Sequence, residues 1–438
     1  MKDKAEKGLS SIPTSKVKRA AKVLGASAKV GGNYIKYYAK KSVNHSLSKD
    51  ALHEDNANDI YKSLSEMKGS ALKVAQMMSM DNQVLPKAYQ DKFSMAQYNA
   101  PPLSYPLILK TFQQFFGCKP LDLFDTFSKE AVHAASIGQV HKATKVNQVF
   151  AVKIQYPGVA DAISSDLKLV KLIAAQILNM KKSEISLYMD EVESKLIEET
   201  DYDLELRRST EISEGSSGLT NIRFPKYYPE YSNKRILTMD WMEGEMFPDF
   251  LKSNPSQEVR NKIGQSMWDF YLFQMKVLRQ VHADPHPGNF IVNDANELCV
   301  LDFGCVKEIP SDFFDSYFQL FGSDILDDEE RLFKLYNELE FFKPEDTPEQ
   351  KELLKNMYQN MISLLGKPFR SDSFDFGNDA YFAQIAKMGD GMAKNKDLRE
   401  MNNARGSKHA IYIMRTFFGL YSLLNQLKAE VKLNYSLN

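Results

Sequence analysis

The sequence predicts an α+β protein of two lobes behind a helical N-terminal extension. Three observations carry that expectation. Strand-rich composition is confined to short runs between Val132 and Leu301, the segments before Phe116 and after Pro310 follow helical spacing, and Pro101-Pro102 interrupts the first helical region. The 438 residues allow about three structural units at roughly 150 residues each. Hydrophobic residues at 43% and charged residues at 26% exclude wholesale disorder, collagen and disulfide-scaffold classes.

From the N-terminus, the first fifty residues hold twelve Lys or Arg against three Asp or Glu. Val17, Ala20, Ala21, Leu24 and Ala28 recur at helical spacing with Lys18, Arg19, Lys22 and Lys29 around them, and Tyr34, Ile35, Tyr37 and Tyr38 follow Gly31-Gly32. A basic amphipathic arm with aromatics suits an anionic membrane surface; it suits equally a solvated tail or a helix packed on the domain behind it. Over the whole chain, 56 basic and 57 acidic side chains leave a net charge of −1, which excludes a globally basic nucleic-acid binder. No run reaches about 18 apolar residues, and Ala410 to Leu424, the nearest, contains Arg415, so no membrane span is expected. The N-terminus lacks the apolar segment of a secretory signal. Cys118, Cys299 and Cys305 are too few and too irregular for a disulfide framework or a four-cysteine zinc site, which fits a reducing compartment.

Residues 59–96 follow helical spacing, with Leu64, Met67, Leu72, Met77, Met78 and Met80 as an apolar stripe expected in a core. Leu107 to Phe116 opens another apolar segment, and a boundary falls near residue 120. From Val132 the period changes. Val140 to Ala143, a turn at Val146-Asn147, and Val149 to Ile154 read as a hairpin. Arg235 to Trp241 reads as a further strand, and Phe290 to Val292 with Leu298 to Leu301 as a second hairpin around Asn293-Asp294-Ala295-Asn296. Everything after residue 310 reads as helical.

Chemistry sits at both ends of the second hairpin. His282-Ala283-Asp284-Pro285-His286-Pro287-Gly288-Asn289 precedes it, and Asp302-Phe303-Gly304 begins thirteen residues after Asn289. Phosphoryl transfer needs oxygen ligands that hold Mg²⁺ against nucleotide phosphates and a carboxylate near the attacking oxygen. Asp284 and Asn289 have the D-x-x-x-x-N separation of a kinase catalytic loop, and Asp302 stands where a D-F-G metal ligand belongs. Asp284 is therefore expected as base or orienting group, and Asn289 and Asp302 as metal ligands. His282, Asp284 and His286 alone also read as three ligands of a transition metal, but such a site requires neither the later Asn nor the D-F-G.

The same chemistry needs a strand lysine paired with a helical glutamate. In Ala151-Val152-Lys153 the period of two puts Ala151 and Lys153 on one face, with room for adenine beside a charge for phosphate. The glutamate must come from Asp190 to Glu205, a run with eight carboxylates opposed only by Lys195; Glu199, Asp201 and Glu205 are the candidates, and periodicity does not choose among them. Met239, Asp240 and Met242, just ahead of Gly244, are the positions expected to meet adenine at a hinge. The segment before the first hairpin, His133-Ala134-Ala135-Ser136-Ile137-Gly138-Gln139, holds a single glycine and cannot easily wrap phosphates as a G-x-G-x-x-G loop does.

Together these residues resemble the UbiB family of atypical kinases, which includes the mitochondrial coenzyme Q kinase-like proteins. The resemblance runs from about residue 10 to the end. It rests on Ser70-Ala71-Leu72-Lys73-Val74-Ala75-Gln76-Met77, on the segment from Ala134 to His141, on Val152 to Val159, on Glu199-Thr200-Asp201-Tyr202, on the His282 to Asn289 block and on Asp302-Phe303-Gly304. Phe374-Asp375-Phe376-Gly377 and the basic arm are similar to the coenzyme Q branch.

The resemblance implies an atypical protein-kinase-like two-lobed fold with an N-terminal helical extension covering the active site. Its segments would be a basic arm at 1–50, the extension at 51–124, an N-lobe at 125–243 and a C-lobe at 244–438. Lys73 and Gln76, held by Glu199 and Asp201, would cover the pocket where a protein kinase admits a peptide, and Glu205 would pair with Lys153. Ala134, Ala135, Ser136, Gly138 and Gln139 would form an alanine-rich nucleotide loop that favours slow ATP hydrolysis over phosphorylation. ATP and Mg²⁺ are the implied cofactors. An anionic membrane surface, an isoprenoid or quinone-like lipid and lipid-biosynthesis proteins are the implied partners, with peripheral association on the cytoplasmic side or, in a eukaryote, the mitochondrial matrix side. Two positions depart from the pattern. Ala75 replaces a glycine, which a helix tolerates, and His133 replaces the first alanine and is expected to face solvent.

Three functions compete. The leading one is a lipid-stimulated UbiB-type ATPase or kinase supporting ubiquinone or related isoprenoid-lipid metabolism. The second is a small-molecule phosphotransferase of the aminoglycoside or choline kinase type, a class without a K-x-G-Q-like segment. The third is a scaffold or chaperone switched by ATP.

Overall fold

Val146 and Asn147 both take positive φ, 45° and 64°, the backbone that a two-residue hairpin turn requires and that matches the twist of its flanking strands. The turn fixes the register of the longest hairpin, and the rest of its sheet is built on it. The computed structural model describes residues 16–433 apart from 43–47, 68, 80–86, 95–101, 135–136, 178–181, 396, 399–400 and 402–404. In chain order its first elements are α1 (Lys16–Lys41), α2 (Asp50–Met67), α3 (Ser70–Ser79), α4 (Lys87–Ser94), α5 (Tyr105–Phe115), α6 (Pro120–Leu123), β1 (Thr126–Phe127), β2 (His133–Ala134), β3 (Gly138–Lys145) and β4 (Gln148–Gln155). Then come α7 (Val159–Ile177), α8 (Lys182–Glu199), α9 (Tyr202–Gly215), β5 (Ile222–Arg223) and β6 (Ile236–Asp240). The chain divides into two compact units: one runs to Arg207 and adds Lys226–Trp241, the other joins Arg208–Pro225 to the chain from Met242 onward. Residues 208–225, which lie within 125–243, thus belong to the second unit.

In the first unit β1, β3, β4 and β6 form an antiparallel sheet, with β2 also on β3. Strand alternation splits its side chains between two faces. Phe150, Val152 and Ile154 join Ile108 and Phe112 of α5 in one core, whereas Ala151, Leu237 and Met239 pack with Tyr202 and Tyr227 on the other face. The helices have a separate core: Val30, Ile60, Leu64, Val74 and Ala75 meet Ile163 and Leu167 of α7 and Val192 and Leu196 of α8. Each fully buried Leu or Ile there contributes roughly 1.5–3 kcal/mol. The helical pattern of residues 59–96 is thus realised as separate helices, broken at Gly69 (φ 62°). Leu64 and Leu72 are buried, as expected of the stripe; the side chains of Met67, Met77 and Met78, and Met80 as a whole, lie outside the described residues.

The second unit continues with β7 (Glu245–Met246), α10 (Phe247–Lys252), α11 (Gln257–Phe273), β8 (Gln280–His282), β9 (Phe290–Val292), β10 (Leu298–Val300), β11 (Val306–Glu308), α12 (Ser311–Gln319), α13 (Glu329–Glu338), α14 (Pro348–Leu365), β12 (Ser373–Asp375), α15 (Asp379–Lys394), α16 (Lys408–Leu427) and β13 (Glu430–Lys432). Its sheet runs β5-β10-β9-β7, and β8 pairs with β11. Met267 and Trp268 of α11, Phe290, Val300, Phe303, Tyr336 and Leu420 share one core. The region after residue 310 is not wholly helical. β12 pairs with β13, Phe374 opposite Val431, and Phe376 packs on Tyr421 with ring centres 5.2 Å apart. Three-residue strands are too short for their alternation to stand out in the sequence. Among the described residues no helix is long and apolar enough to cross a membrane.

Candidate functional site

Each unit carries its own group of the residues singled out from the sequence. In the first, Lys153 stands on β4 on the face it shares with Ala151, and β6 sets Leu237 opposite Lys153 and Met239 opposite Ala151. The Lys153 ammonium lies 2.6 Å from Glu205 Oε1 and 5.1 Å from the centre of the Tyr202 ring. Glu205 is 2% exposed and Lys153 16%, so little water screens the attraction. Of the three carboxylates left open by periodicity, Glu205 is the one that meets Lys153. Tyr202, quoted from the sequence only within Glu199-Thr200-Asp201-Tyr202, has no role assigned to it there. Its spacing of three from Glu205 puts ring and carboxylate on one side of α9, and that is the signal that points to it.

Lys73 of α3 meets Glu199, the last residue of α8, at 3.1 Å, with both side chains largely buried. Asp201 does not share this role: it is exposed, and its carboxylate accepts a hydrogen bond from the Leu204 amide at 3.0 Å. The expectation that Glu199 and Asp201 act together is corrected, because an acid just before a helix takes up the free amides of its first turn. The side chain of Gln76 lies outside the described residues. Ala75 is fully buried on α3, in keeping with a helical position that accepts a methyl.

β2 sets Ala134 opposite Gln139 and His133, which is exposed, opposite Val140. Ala135 and Ser136 lie outside the described residues. A Cβ at Gly138 would stand 2.8 Å from the Ile154 carbonyl oxygen and 3.0 Å from the Tyr202 hydroxyl, so the chain can pass here only as glycine. The side chain of Gln139 is not placed to meet a nucleotide. Alternation turns it away from the Lys153 face into the core, where its Oε1 accepts from the Leu103 N–H at 2.6 Å and its Nε2 donates to His141 Nε2 at 2.8 Å. His141 Nδ1 in turn donates to the Ser128 carbonyl at 2.8 Å. Because the Leu103 N–H must find an acceptor, the direction of this whole relay is determined.

Met239 is buried beside Ala151 and Tyr202. The Asp240 carboxylate is engaged within its own sheet, accepting from the Tyr228 hydroxyl at 2.7 Å and the Lys226 N–H at 3.0 Å, so this side chain braces the strand and is not a free hinge ligand. Met242, half-buried, is where the second unit resumes.

In the second unit, strands β8 to β11 gather Asp284, Asn289 and Asp302. The Asn289 carbonyl accepts from the Leu301 N–H at 3.0 Å, which lays Asn289 beside the residue preceding Asp302. Asn289 Nδ2 donates to the Asp284 carbonyl at 3.0 Å, and that carbonyl also accepts from the His286 N–H at 2.7 Å. Asp302 Oδ1 accepts from the Gly304 N–H at 2.7 Å, and the Ala283 N–H donates to the Cys305 carbonyl at 2.8 Å. The amide orientation of Asn289 leaves its carbonyl oxygen available, and an amide oxygen with a carboxylate forms a hard-oxygen donor pair that suits Mg²⁺.

His282 is fully buried with its ring 5.6 Å from Phe303 in a T-shaped arrangement, and its backbone N–H donates to Gln274 Oε1 at 2.8 Å. Burial holds its imidazole below the ordinary pKa, against the opposing pull of Asp284 and Asp302. His286 Nδ1 accepts from the Gly288 amide at 3.0 Å. Among the described residues no three His, Cys, Asp or Glu side chains gather as metal ligands, which the transition-metal reading of His282, Asp284 and His286 would require. Gln274 escaped sequence reasoning. It begins a π-helical turn, Gln274–Leu278, that ends at Arg279 in the left-handed region (φ 54°), and one wide turn at the end of a helix leaves no periodic signal. Gly419 of α16 allows close packing on the loop: a Cβ there would stand 2.3 Å from Pro285 Cγ.

Residues 95–336 match the ABC1 atypical kinase-like domain. The chain belongs to this family, the UbiB atypical kinases. It is similar over most of its length to the mitochondrial atypical kinase COQ8 of Saccharomyces cerevisiae, 29% identical over 436 residues that cover 96% of this chain and 84% of COQ8. It is 26% identical over 455 residues to the probable serine/threonine-protein kinase abkA of Dictyostelium discoideum, covering 96% and 78% of the two chains. Mitochondrial COQ8B of Danio rerio is 26% identical over 389 residues, covering 86% and 61%. The solved structure of the Rv3197–erythromycin complex from Mycobacterium tuberculosis has the same fold, with a TM-score of 0.61 at 22% identity over 88% of this chain and 96% of its own. The UbiB resemblance and the kinase-like α+β fold expected from the motifs are therefore both established.

Proposed function

We propose that this UbiB-family protein binds ATP with Mg²⁺, hydrolyses it slowly, and so supports ubiquinone or related isoprenoid-lipid metabolism at a membrane surface. The observation that supports the reading most strongly is the Lys153–Glu205 pair on the same sheet face as the small Ala151. Lys153 would hold the α- and β-phosphates, Glu205 would keep its ammonium in place, and Met239 would line the adenine side of the face. Ala134 at the end of β2 and Gly138 at the start of β3 would lend backbone groups to the nucleotide, together with Ala135 and Ser136. Asp284 would orient the attacking oxygen and take its proton. Asn289 and Asp302 would hold Mg²⁺, which when bound offsets negative charge on the phosphates. Lys73, tied to Glu199, would fix α3 as a cover that excludes a peptide substrate. Exclusion of a large acceptor favours water, hence ATPase over kinase behaviour.

The COQ8 relatives, mitochondrial by name, support the link to ubiquinone and a mitochondrial location in a eukaryote. The membrane reading is supported by α1, which exposes Leu24, Ile35 and Tyr38 together with Lys29, Lys36 and Lys40. Thermal-shift titration with Mg-ATP tests nucleotide binding. The midpoint should rise with Mg-ATP in the wild type, rise less in Lys153→Met, and lose its Mg²⁺ dependence in Asp302→Asn. Equal shifts in all three proteins would remove the assignment.

A further inference from the structure

None of the roles above uses Arg19, Asp166 or Ser70, yet these three form a buried polar knot between α1, α7 and α3. Asp166 is 0% exposed and Arg19 4%. Arg19 Nε donates to Asp166 Oδ1 at 2.6 Å, Arg19 Nη2 donates to Oδ2, and the Ser70 hydroxyl donates to the same Oδ2. A bidentate guanidinium–carboxylate pair fixes geometry as well as charge. Ser70 is the first residue of α3, and Lys73 lies one turn further on.

From Lys73 the contacts continue inward. Lys73 pairs with Glu199. The next carbonyl, of Thr200, accepts from Gln155 Nε2 at 3.0 Å and Arg235 Nη1 at 2.9 Å, which ties the α8–α9 junction to the strands of the sheet. Glu205 then meets Lys153. α1 itself has two apolar sides. Ala26, Val30 and Tyr37 are buried, while Ala21, Leu24, Ala28, Gly31, Ile35 and Tyr38 recur at spacings of three and four as an exposed stripe.

We infer that Asp166 and Ser70 are positioning residues for Lys73, and that Arg19 is the latch by which α1 holds α3 in its covering position. This inference rests on the reading of α1 as lipid-facing and of Lys73 as the cover. When the outer stripe of α1 enters an anionic bilayer, Arg19 is drawn away from Asp166. A buried carboxylate deprived of its cation is strongly unfavourable, so the N-terminal turn of α3 yields to admit water and Lys73 loosens from Glu199. Lipid binding at the arm is thereby transmitted to the helix that regulates nucleotide turnover.

The test uses the full chain. Backbone hydrogen exchange is measured over residues 70–79, and ATP hydrolysis is measured with and without phosphatidylcholine vesicles containing phosphatidylglycerol. In Arg19→Met, exchange over 70–79 without lipid is expected to rise on the order of tenfold, hydrolysis without lipid should approach the lipid-stimulated level of the wild type, and vesicles should add little. Arg19→Lys should recover part of both effects. If Arg19→Met does not fold, Ser70→Ala decides: it keeps the ion pair and removes only the link to α3, so exchange should rise over 70–79 while α7 stays protected. Unchanged exchange over 70–79 in the folded variants, or full lipid stimulation surviving in Arg19→Met, would overturn the latch. If the wild type hydrolyses no ATP under any condition, the proposed activity fails, and the exchange measurement still decides the latch by itself.

Discussion

Lys153 and Glu205 meet at 2.6 Å with unequal exposure, the carboxylate at 2% and the ammonium at 16%. Loss of the cation leaves a carboxylate that water hardly reaches, whereas loss of the carboxylate leaves an ammonium still near solvent and the Tyr202 ring. Lys153→Met is therefore expected to lower stability by about 3 kcal/mol and Glu205→Gln by about 1 kcal/mol. Urea unfolding curves check this; equal losses would contradict the asymmetry. Both variants should also bind ATP at least roughly tenfold more weakly, since both disturb the charge offered to the phosphates.

Lys73→Ala removes the cation beside Glu199 and frees α3 on that side. Autophosphorylation should increase and the lipid response of ATP hydrolysis should diminish, read by phosphate transfer to the protein and by steady-state hydrolysis. If neither changes, Lys73 does not act as a cover.

How far the sequence foretold these contacts depends on periodicity. The period of two made the Ala151/Lys153 face and the hairpin legible, since every second residue shares a face. The same rule misplaces no residue so long as the strand start is known; the segment before the hairpin reads as a loop, whereas Gln139 lies in β3 and its side chain turns inward. The partner of Lys153 was not legible from spacing, because α8 ends at Glu199 and α9 restarts at Tyr202, so the helical phase is lost between them. The Arg19–Asp166 contact joins residues 147 apart in sequence, and no local pattern encodes it.

His141 carries a pH dependence of definite sign. Burial holds its pKa below the ordinary value, with the Ser128 carbonyl pulling the other way. Since the folded pKa lies below an unfolded value of about 6.5, the unfolded chain takes the proton first as pH falls. Stability should be full above about pH 6.5 and decline below it toward the folded pKa; His282, also depressed by burial, acts in the same direction. Thermal melts across this range check the decline, which should be shallower in His141→Phe, and an identical slope would contradict the assignment.

Gly419→Val drives a side chain into Pro285, on the loop that carries Asp284. Overpacking of this kind costs about 1–3 kcal/mol. The displaced loop should lower kcat for ATP hydrolysis while KM for ATP changes little. Steady-state kinetics at matched folded fraction decide it; an unchanged kcat would show that α16 does not position the loop.

Asp302, with Asn289, is proposed to hold Mg²⁺ for ATP turnover that lipid stimulates. The most direct test is ATP hydrolysis by purified protein, with and without anionic vesicles, compared between wild type and Asp302→Asn. Hydrolysis should rise with vesicles in the wild type and disappear in Asp302→Asn under both conditions. Hydrolysis that survives Asp302→Asn and still responds to vesicles would contradict it.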